Sequence, residues 1–241
     1  MFPIGDENEP GHGLPFVTLT LIGINVAVFM LLQGFGGENS FTVGWSAIPF
    51  EVVNSVDLVR PSLIEIGGQE FLLPQAPGPD PIQLTVLSSM FMHAGLLHIA
   101  GNMLFLWIFG DNVEHRAGPI FFLLTYLVVG VVGSLAQIFS DTASVIPTLG
   151  ASGAISGILG AYLVLFPRNR VTVLLFRFPA QVPAIVAIGI WIVFQLISGF
   201  GASVDESGGG GVAYLAHIGG FAAGLVAGFV LRAIPEDPSD R

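Results

Sequence analysis

Three apolar stretches of the sequence each carry polar side chains that could take part in acyl transfer. Ser152 opens one stretch, His217 lies near the start of a second, and His98 and Asn102 lie in a third. Polar groups placed in hydrocarbon are costly and mark function. A hydroxyl, an imidazole and an amide can serve as nucleophile, base and oxyanion donor. These residue types therefore predict a serine-hydrolase site inside an apolar protein.

The composition predicts that these stretches are membrane helices. The 241 residues are 53% hydrophobic and only 10% charged, whereas soluble domains carry about 25% charged residues. A helix needs ~20 apolar residues to cross a bilayer. We therefore expect an all-α, polytopic membrane protein with six transmembrane helices in a compact bundle. Six windows free of Asp, Glu, Lys and Arg are the predicted spans: 16–33, 86–110, 120–139, 150–166, 182–200 and 212–231.

The arginines predict how the bundle is oriented. Of the seven basic residues, all arginine, only Arg60 falls on the face opposite to the other six. The positive-inside rule makes the six-arginine face cytoplasmic. We therefore expect a plasma-membrane protein with cytoplasmic tails at 1–15 and 233–241. The six-span catalytic domain would be 16–232, including a folded outer loop at 34–85.

This orientation brings the polar side chains to one depth. Spans two, four and six all run from outside to inside, so Ser152, His217, His98 and Asn102 would all lie in the outer half of the bundle. His98 and Asn102 are four residues apart and share a helical face. One cavity open to the outside would hold all four groups.

Small residues predict close packing of spans four and six. Stripes of glycine at every fourth position let helix backbones approach. Such a contact would bring the imidazole of His217 near the hydroxyl of Ser152, with Gly150 giving the backbone room beside the nucleophile. The stripes are Gly153 and Gly157 in span four, and Gly220, Gly224 and Gly228 in span six.

The charge balance and residue content argue against several other chemistries. A net charge of −10 argues against nucleic acid as a partner. Cysteine is absent, and His93 and His98 have no carboxylate beside them, so we expect neither a metal nor another cofactor. No Asp or Glu lies within a window to orient His217, so a Ser–His dyad is expected rather than a triad.

In order along the chain, three motifs resemble those of the rhomboid family of intramembrane serine proteases. They are HIAGN at 98–102, GASG at 150–153 and AHIGG at 216–220, on predicted spans two, four and six. The run GDNVE at 110–114 is also similar to the family. The resemblance covers residues 84 to 231.

The resemblance implies an endopeptidase that cleaves single-span membrane proteins near the outer face of the bilayer. It implies Ser152 as nucleophile, His217 as base, and Asn102, His98 and the Ser152 amide as oxyanion donors. Substrate would enter laterally, between spans two and five, under a cap formed by loop 201–211. The sequence does not indicate an oligomeric state.

Two features depart from the family pattern. Many members carry adjacent Trp and Arg in the first outer loop, whereas Trp45 and Arg60 are far apart here. Some members have an aromatic residue four positions after the serine, stacked on the histidine, and here that position is Ser156. Something else must therefore position His217.

Other functions remain open from the sequence. The zinc-protease motif HExxH is absent, and only Asp111 lies near a span, so an aspartyl protease is disfavoured. A small transporter could use Asn25, Gln137 and Gln195 to line a path, but paired broken helices are missing. A catalytically inactive rhomboid-like binding protein would be expected to lack Ser152 or His217.

Overall fold

The computed structural model describes residues 2–8, 13–36, 39–204 and 213–234. The chain is mostly helical, and α1 continues into a π-helical turn at Val28–Leu32. Two 3-10 turns, Ile82–Leu84 and Ser89–Phe91, flank α4. The helices are α1 Phe16–Ala27, α2 Ser40–Gly44, α3 Pro49–Asn54, α4 Thr85–Ser88, α5 Leu96–Ala117, α6 Pro119–Ser140, α7 Ser152–Leu165, α8 Ala184–Val204 and α9 Tyr214–Ala233.

The predicted fold class, an all-α membrane bundle, is confirmed. Within the described ranges, three helices (α5, α6 and α9) are long and apolar enough to cross a membrane. Shorter apolar helices lie at 16–32, 82–91, 152–165 and 184–199. Large apolar side chains lie exposed along α6 and α8, as lipid-facing surfaces require. Examples are Ile120, Leu124, Val128, Ile190, Phe194 and Ile197.

The second predicted window has different bounds in the structure. The window 86–110 predicted one helix, but the chain is irregular at 92–95 and α5 begins only at Leu96. The side-chain amide of Gln33 accepts a hydrogen bond from the His93 backbone nitrogen at 2.9 Å and donates to its oxygen at 3.1 Å. These bonds replace those that a helix would supply, so the break can be buried.

The carboxylate of Glu114 lies on the part of α5 that extends past the predicted window. It accepts hydrogen bonds from the backbone nitrogens of Val17 at 2.8 Å and Thr18 at 2.7 Å. The Thr18 hydroxyl donates a third bond at 2.7 Å. The first turn of a helix has unpaired N–H groups. Glu114 therefore caps α1, and the two helices are joined at this end.

Two small antiparallel sheets are present that the sequence did not predict. The strands β1 Phe2–Asp6, β4 Arg170–Leu175 and β5 Phe178–Pro183 form one sheet in the order β1-β4-β5. The predicted N-terminal tail therefore contains a paired strand. The outer loop contains the hairpin of β2 Ser62–Ile66 and β3 Gln69–Leu73.

Helix α7 is the centre of the bundle, and α9 packs directly on it. Every residue of α7 from Gly153 to Tyr162 is buried. A Cβ built on Gly220 would overlap the Gly153 carbonyl oxygen, and one on Gly224 would overlap that of Gly157. Since only a hydrogen atom fits at these positions, the glycines permit the backbone contact.

Candidate active site

The α7–α9 contact brings Ser152 and His217 together. Ser152 is the first residue of α7, and His217 lies in the first turn of α9. The Ser152 hydroxyl oxygen is 2.7 Å from Nε2 of His217. His217 is only 9% exposed. A half-buried serine hydroxyl therefore contacts a nitrogen of a buried imidazole, which is the geometry that a nucleophile and its base require.

The backbone that leads into α7 has an unusual conformation at Gly150. Ala151 is the N-cap residue of α7, and no side chain caps this helix. Gly150 has φ +140°, a conformation that favours glycine. Its backbone nitrogen donates to the Ser89 oxygen at 2.9 Å. Ser152 is therefore not used as a helix cap, and its hydroxyl is free to contact His217.

The ring of His98 borders the same space as the serine hydroxyl. A Cβ built on Gly150 would lie 3.1 Å from Cε1 and Nε2 of His98 and 3.4 Å from the Ser152 hydroxyl oxygen. The Ala94 backbone N–H donates to His98 Nδ1 at 3.3 Å. Nδ1 is then an acceptor, so in the neutral ring Nε2 carries the proton. His98 therefore offers a donor toward the serine.

Asn102 lies one turn after His98 on α5 and shares its helical face. Its side chain is 8% exposed, and its amide nitrogen is buried without a hydrogen-bond partner in the described part of the chain. A buried amide donor left unpaired costs about 1–3 kcal/mol. This nitrogen can therefore still donate a hydrogen bond to another group.

The remaining predicted site residues lie at the helix contact. Gly153 has room beside it, since a built Cβ would be 3.5 Å from the Ala216 oxygen. Gly157, Gly220 and Gly224 lie along the α7–α9 contact described above.

The part of the chain that the structure describes holds no group of three or more His, Cys, Asp or Glu side chains arranged to hold a metal ion. Most of the predicted cap, loop 201–211, lies outside the described residues.

Sequence reasoning missed the partner of the second His217 nitrogen. Nδ1 lies 2.7 Å from Oε1 of Gln195, a residue of α8. The ring of Trp191, also on α8, lies 6.1 Å from the His217 ring, centroid to centroid. Gln195 is recognisable as a polar residue in an apolar span, but nothing in the sequence indicates that it contacts His217.

The fold and this site define a helical membrane protein with a Ser–His pair at the ends of two packed helices. A family model described as the Rhomboid domain matches residues 83–234. Because this match covers more than half of the chain, the protein belongs to the rhomboid family.

Known relatives agree with the family assignment. The chain is 32% identical over 163 residues to Rhomboid protein 1, mitochondrial, of Saccharomyces cerevisiae, which covers 66% of this chain and 45% of that protein. It is 30% identical over 225 residues to Rhomboid protease GluP of Bacillus subtilis, covering 91% of this chain and 36% of that protein. RHOMBOID-like protein 5 of Arabidopsis thaliana is 32% identical over 151 residues, covering 63% of this chain and 45% of that protein. The matches thus span less than half of each relative.

Proposed function

We propose that this protein is an intramembrane serine endopeptidase that cleaves single-span membrane proteins near the outer face of the bilayer. The observation that carries the proposal is the 2.7 Å contact between the Ser152 hydroxyl and His217 Nε2, made between two apolar helices. The similarity to Rhomboid protease GluP supports the same activity.

In the proposed reaction, Ser152 Oγ attacks the carbonyl carbon of the scissile peptide bond while His217 Nε2 takes the serine proton. The tetrahedral intermediate collapses when the carbon–nitrogen bond breaks and His217 returns the proton to the leaving amine. Water, activated by the same nitrogen, then hydrolyses the acyl-enzyme. A Ser–His dyad is sufficient for each of these steps.

The developing oxyanion would be stabilised by three donors. These are the Nε2–H of His98, the amide nitrogen of Asn102 and the backbone N–H of Ser152, which is unpaired within the helix because Ser152 is its first residue. Removing one such donor typically costs about 10²–10³ in kcat. The unpaired Asn102 nitrogen supports this role, because its burial is otherwise uncompensated.

Lateral access between α5 and α8 is supported by a gap between these helices, a cavity of about 350 Å³ that α7 also lines. Pro3 of β1 and Val173 of β4 line it as well, so the cavity reaches toward the end of the bundle opposite Ser152. Its lining is apolar and includes Phe105 and Phe109 of α5 and Trp191 and Phe194 of α8. An unwinding apolar substrate segment would find a matching surface there. By the positive-inside rule, both termini would be cytoplasmic and the helix ends that carry Ser152 and His217 would face outward, in the plasma membrane.

The proposal is tested by fluorophosphonate labelling in detergent, alongside cleavage of a generic single-span substrate. We expect Ser152→Ala and His217→Ala to abolish both. Ser140→Ala, at the exposed end of α6, is the matched serine control and should react like the wild type. If the wild type neither labels nor cleaves in several lipids, the proposal fails, and a non-catalytic binding protein or small transporter becomes the better assignment.

A further inference from the structure

The second ring nitrogen of His217 is held by a neutral side chain from another helix. Nδ1 of His217 lies 2.7 Å from Oε1 of Gln195, and Gln195 is 7% exposed. Ser152 lies at the same distance, 2.7 Å, from Nε2 on the other side of the ring. His217, on α9, therefore contacts α7 through one ring nitrogen and α8 through the other.

The chemistry of an amide oxygen fixes the protonation of the ring. Such an oxygen only accepts hydrogen bonds, so Nδ1 of His217 must carry the proton. In the neutral ring Nε2 then has a free lone pair, directed at the Ser152 hydroxyl. This is the tautomer that a general base for Ser152 needs, and in serine proteases the wrong tautomer is costly. With the amide reversed, its nitrogen would donate to Nδ1 and the base would be lost.

The surroundings of His217 leave this role to Gln195. Position 156 carries a serine whose hydroxyl donates to the backbone carbonyl oxygen of Ser152 at 2.6 Å, so it places no ring on the imidazole. Trp191 lies one turn before Gln195 on the same face of α8 and contacts the ring, with centroids 6.1 Å apart. The face of α8 that carries Trp191 and Gln195 thus gives the imidazole both a ring contact and a hydrogen-bond acceptor.

We propose that Gln195 is a positioning residue that fixes the tautomer and the ring orientation of His217, so that Ser152, His217 and Gln195 act as one unit. The inference rests on the proposed protease function. During the reaction the proton moves from Ser152 Oγ to His217 Nε2, while the Nδ1 proton stays hydrogen-bonded to Gln195. It follows that the base is competent only while α8 is docked against α9.

Two substitutions of similar size distinguish the effect of the hydrogen bond on activity from the effect of packing. Gln195→Leu fills the space but cannot accept a bond, whereas Gln195→Glu keeps an acceptor oxygen at the same reach. We expect Gln195→Leu to lower kcat by about 10- to 100-fold with little change in KM, and Gln195→Glu to retain most of the activity. Gln137→Leu, the same substitution in α6, is the matched control and should leave kcat unchanged.

A spectroscopic measurement tests the tautomer without reference to turnover. In protein labelled with ¹⁵N-histidine, the His217 ring signals are identified by their loss in His217→Ala. We expect the Nδ1–H tautomer in the wild type and in Gln195→Glu, and loss of this preference in Gln195→Leu. The wild-type spectrum does not depend on either Gln195 variant, so an Nε2–H tautomer there would overturn the inference.

The outcomes also separate this inference from the proposed function. If the wild type cleaves substrate and Gln195→Leu keeps both its kcat and its tautomer, Gln195 has no positioning role although the protease assignment stands. A fall in kcat that Gln195→Glu fails to restore, with the tautomer unchanged, would point to packing and equally overturn the inference. If the wild type is inactive, the proposed function fails, and the spectrum alone still decides whether Gln195 sets the tautomer.

Discussion

A single methyl group at the α7–α9 contact should both destabilise the protein and disable the site. In Gly220→Ala the new Cβ would overlap the Gly153 carbonyl oxygen and lie 3.0 Å from the Gly153 carbonyl carbon. Ordinary carbon–oxygen contacts are about 3.3–3.6 Å, so the two helices must separate locally by about 1 Å. Overpacking of this kind costs about 1–3 kcal/mol.

The same displacement acts on the Ser–His pair. Ser152 is adjacent to Gly153, and His217 lies one turn before Gly220, so the 2.7 Å contact between them would stretch beyond a hydrogen bond. A misplacement of ~1 Å can lower a rate by about 10²-fold. We therefore expect the fluorophosphonate labelling rate of Gly220→Ala to fall by about that factor, and its thermal midpoint to decrease.

The control is Gly189→Ala on α8, where a built Cβ meets nothing within 4 Å. It should retain the wild-type labelling rate and midpoint. Labelling of Gly220→Ala within about twofold of wild type, at an unchanged midpoint, would refute the argument, because it would mean that α7 and α9 are not in backbone contact at this level.

Two further predictions concern the end of the bundle opposite the Ser–His pair. Burial raises the pKa of Asp6 to about 7, opposed by a hydrogen bond from the Tyr162 hydroxyl and reinforced by Asp111. The pKa of Asp6 in the folded state lies above its unfolded value of 3.8. Protonated Asp6 therefore stabilises the fold fully below pH 3.8, and this stabilisation is lost as the pH rises through about 7. The protection of the β1 amides, measured relative to their intrinsic exchange rate at each pH, should therefore fall over this range, and this fall should be absent in Asp6→Asn. Equal protection profiles in the two proteins would contradict the assignment. Glu114→Ala should destabilise the protein by about 1–3 kcal/mol, because it leaves the donors of Val17 and Thr18 unpaired, and Glu114→Gln should recover part of this in thermal unfolding. A midpoint of Glu114→Ala equal to that of the wild type would mean that the cap is not stabilising.

The helices and the order of the motifs could be predicted because their signals are local. An apolar run without charges predicts a membrane helix from its own residues, and glycines at every fourth position predict a close helix contact. The same local rules failed at residues 92–95. The break there depends on Gln33, which lies 60 positions earlier in the chain and cannot be related to His93 from spacing alone.

The strands were missed for a similar reason. Asp6 of β1 pairs with Val171 of β4, across most of the chain. In β4, where Val171 and Val173 are fully buried, the sequence alternates as a half-buried strand does, but this signal is short. The contact between Gln195 and His217 is likewise invisible, because it depends on how α8 is rotated against α9.

Polar groups in the apolar part of this protein differ in which atom is left unpaired. For Gln75 and Gln137 the buried atom without a partner is the amide oxygen, an acceptor. For Asn102 it is the amide nitrogen, a donor. An acceptor cannot stabilise a developing oxyanion, whereas a preorganised donor can do so without reorganisation. The unpaired atom of Asn102 therefore matches the charge that the proposed reaction would create beside Ser152, while the other two amides have no such use.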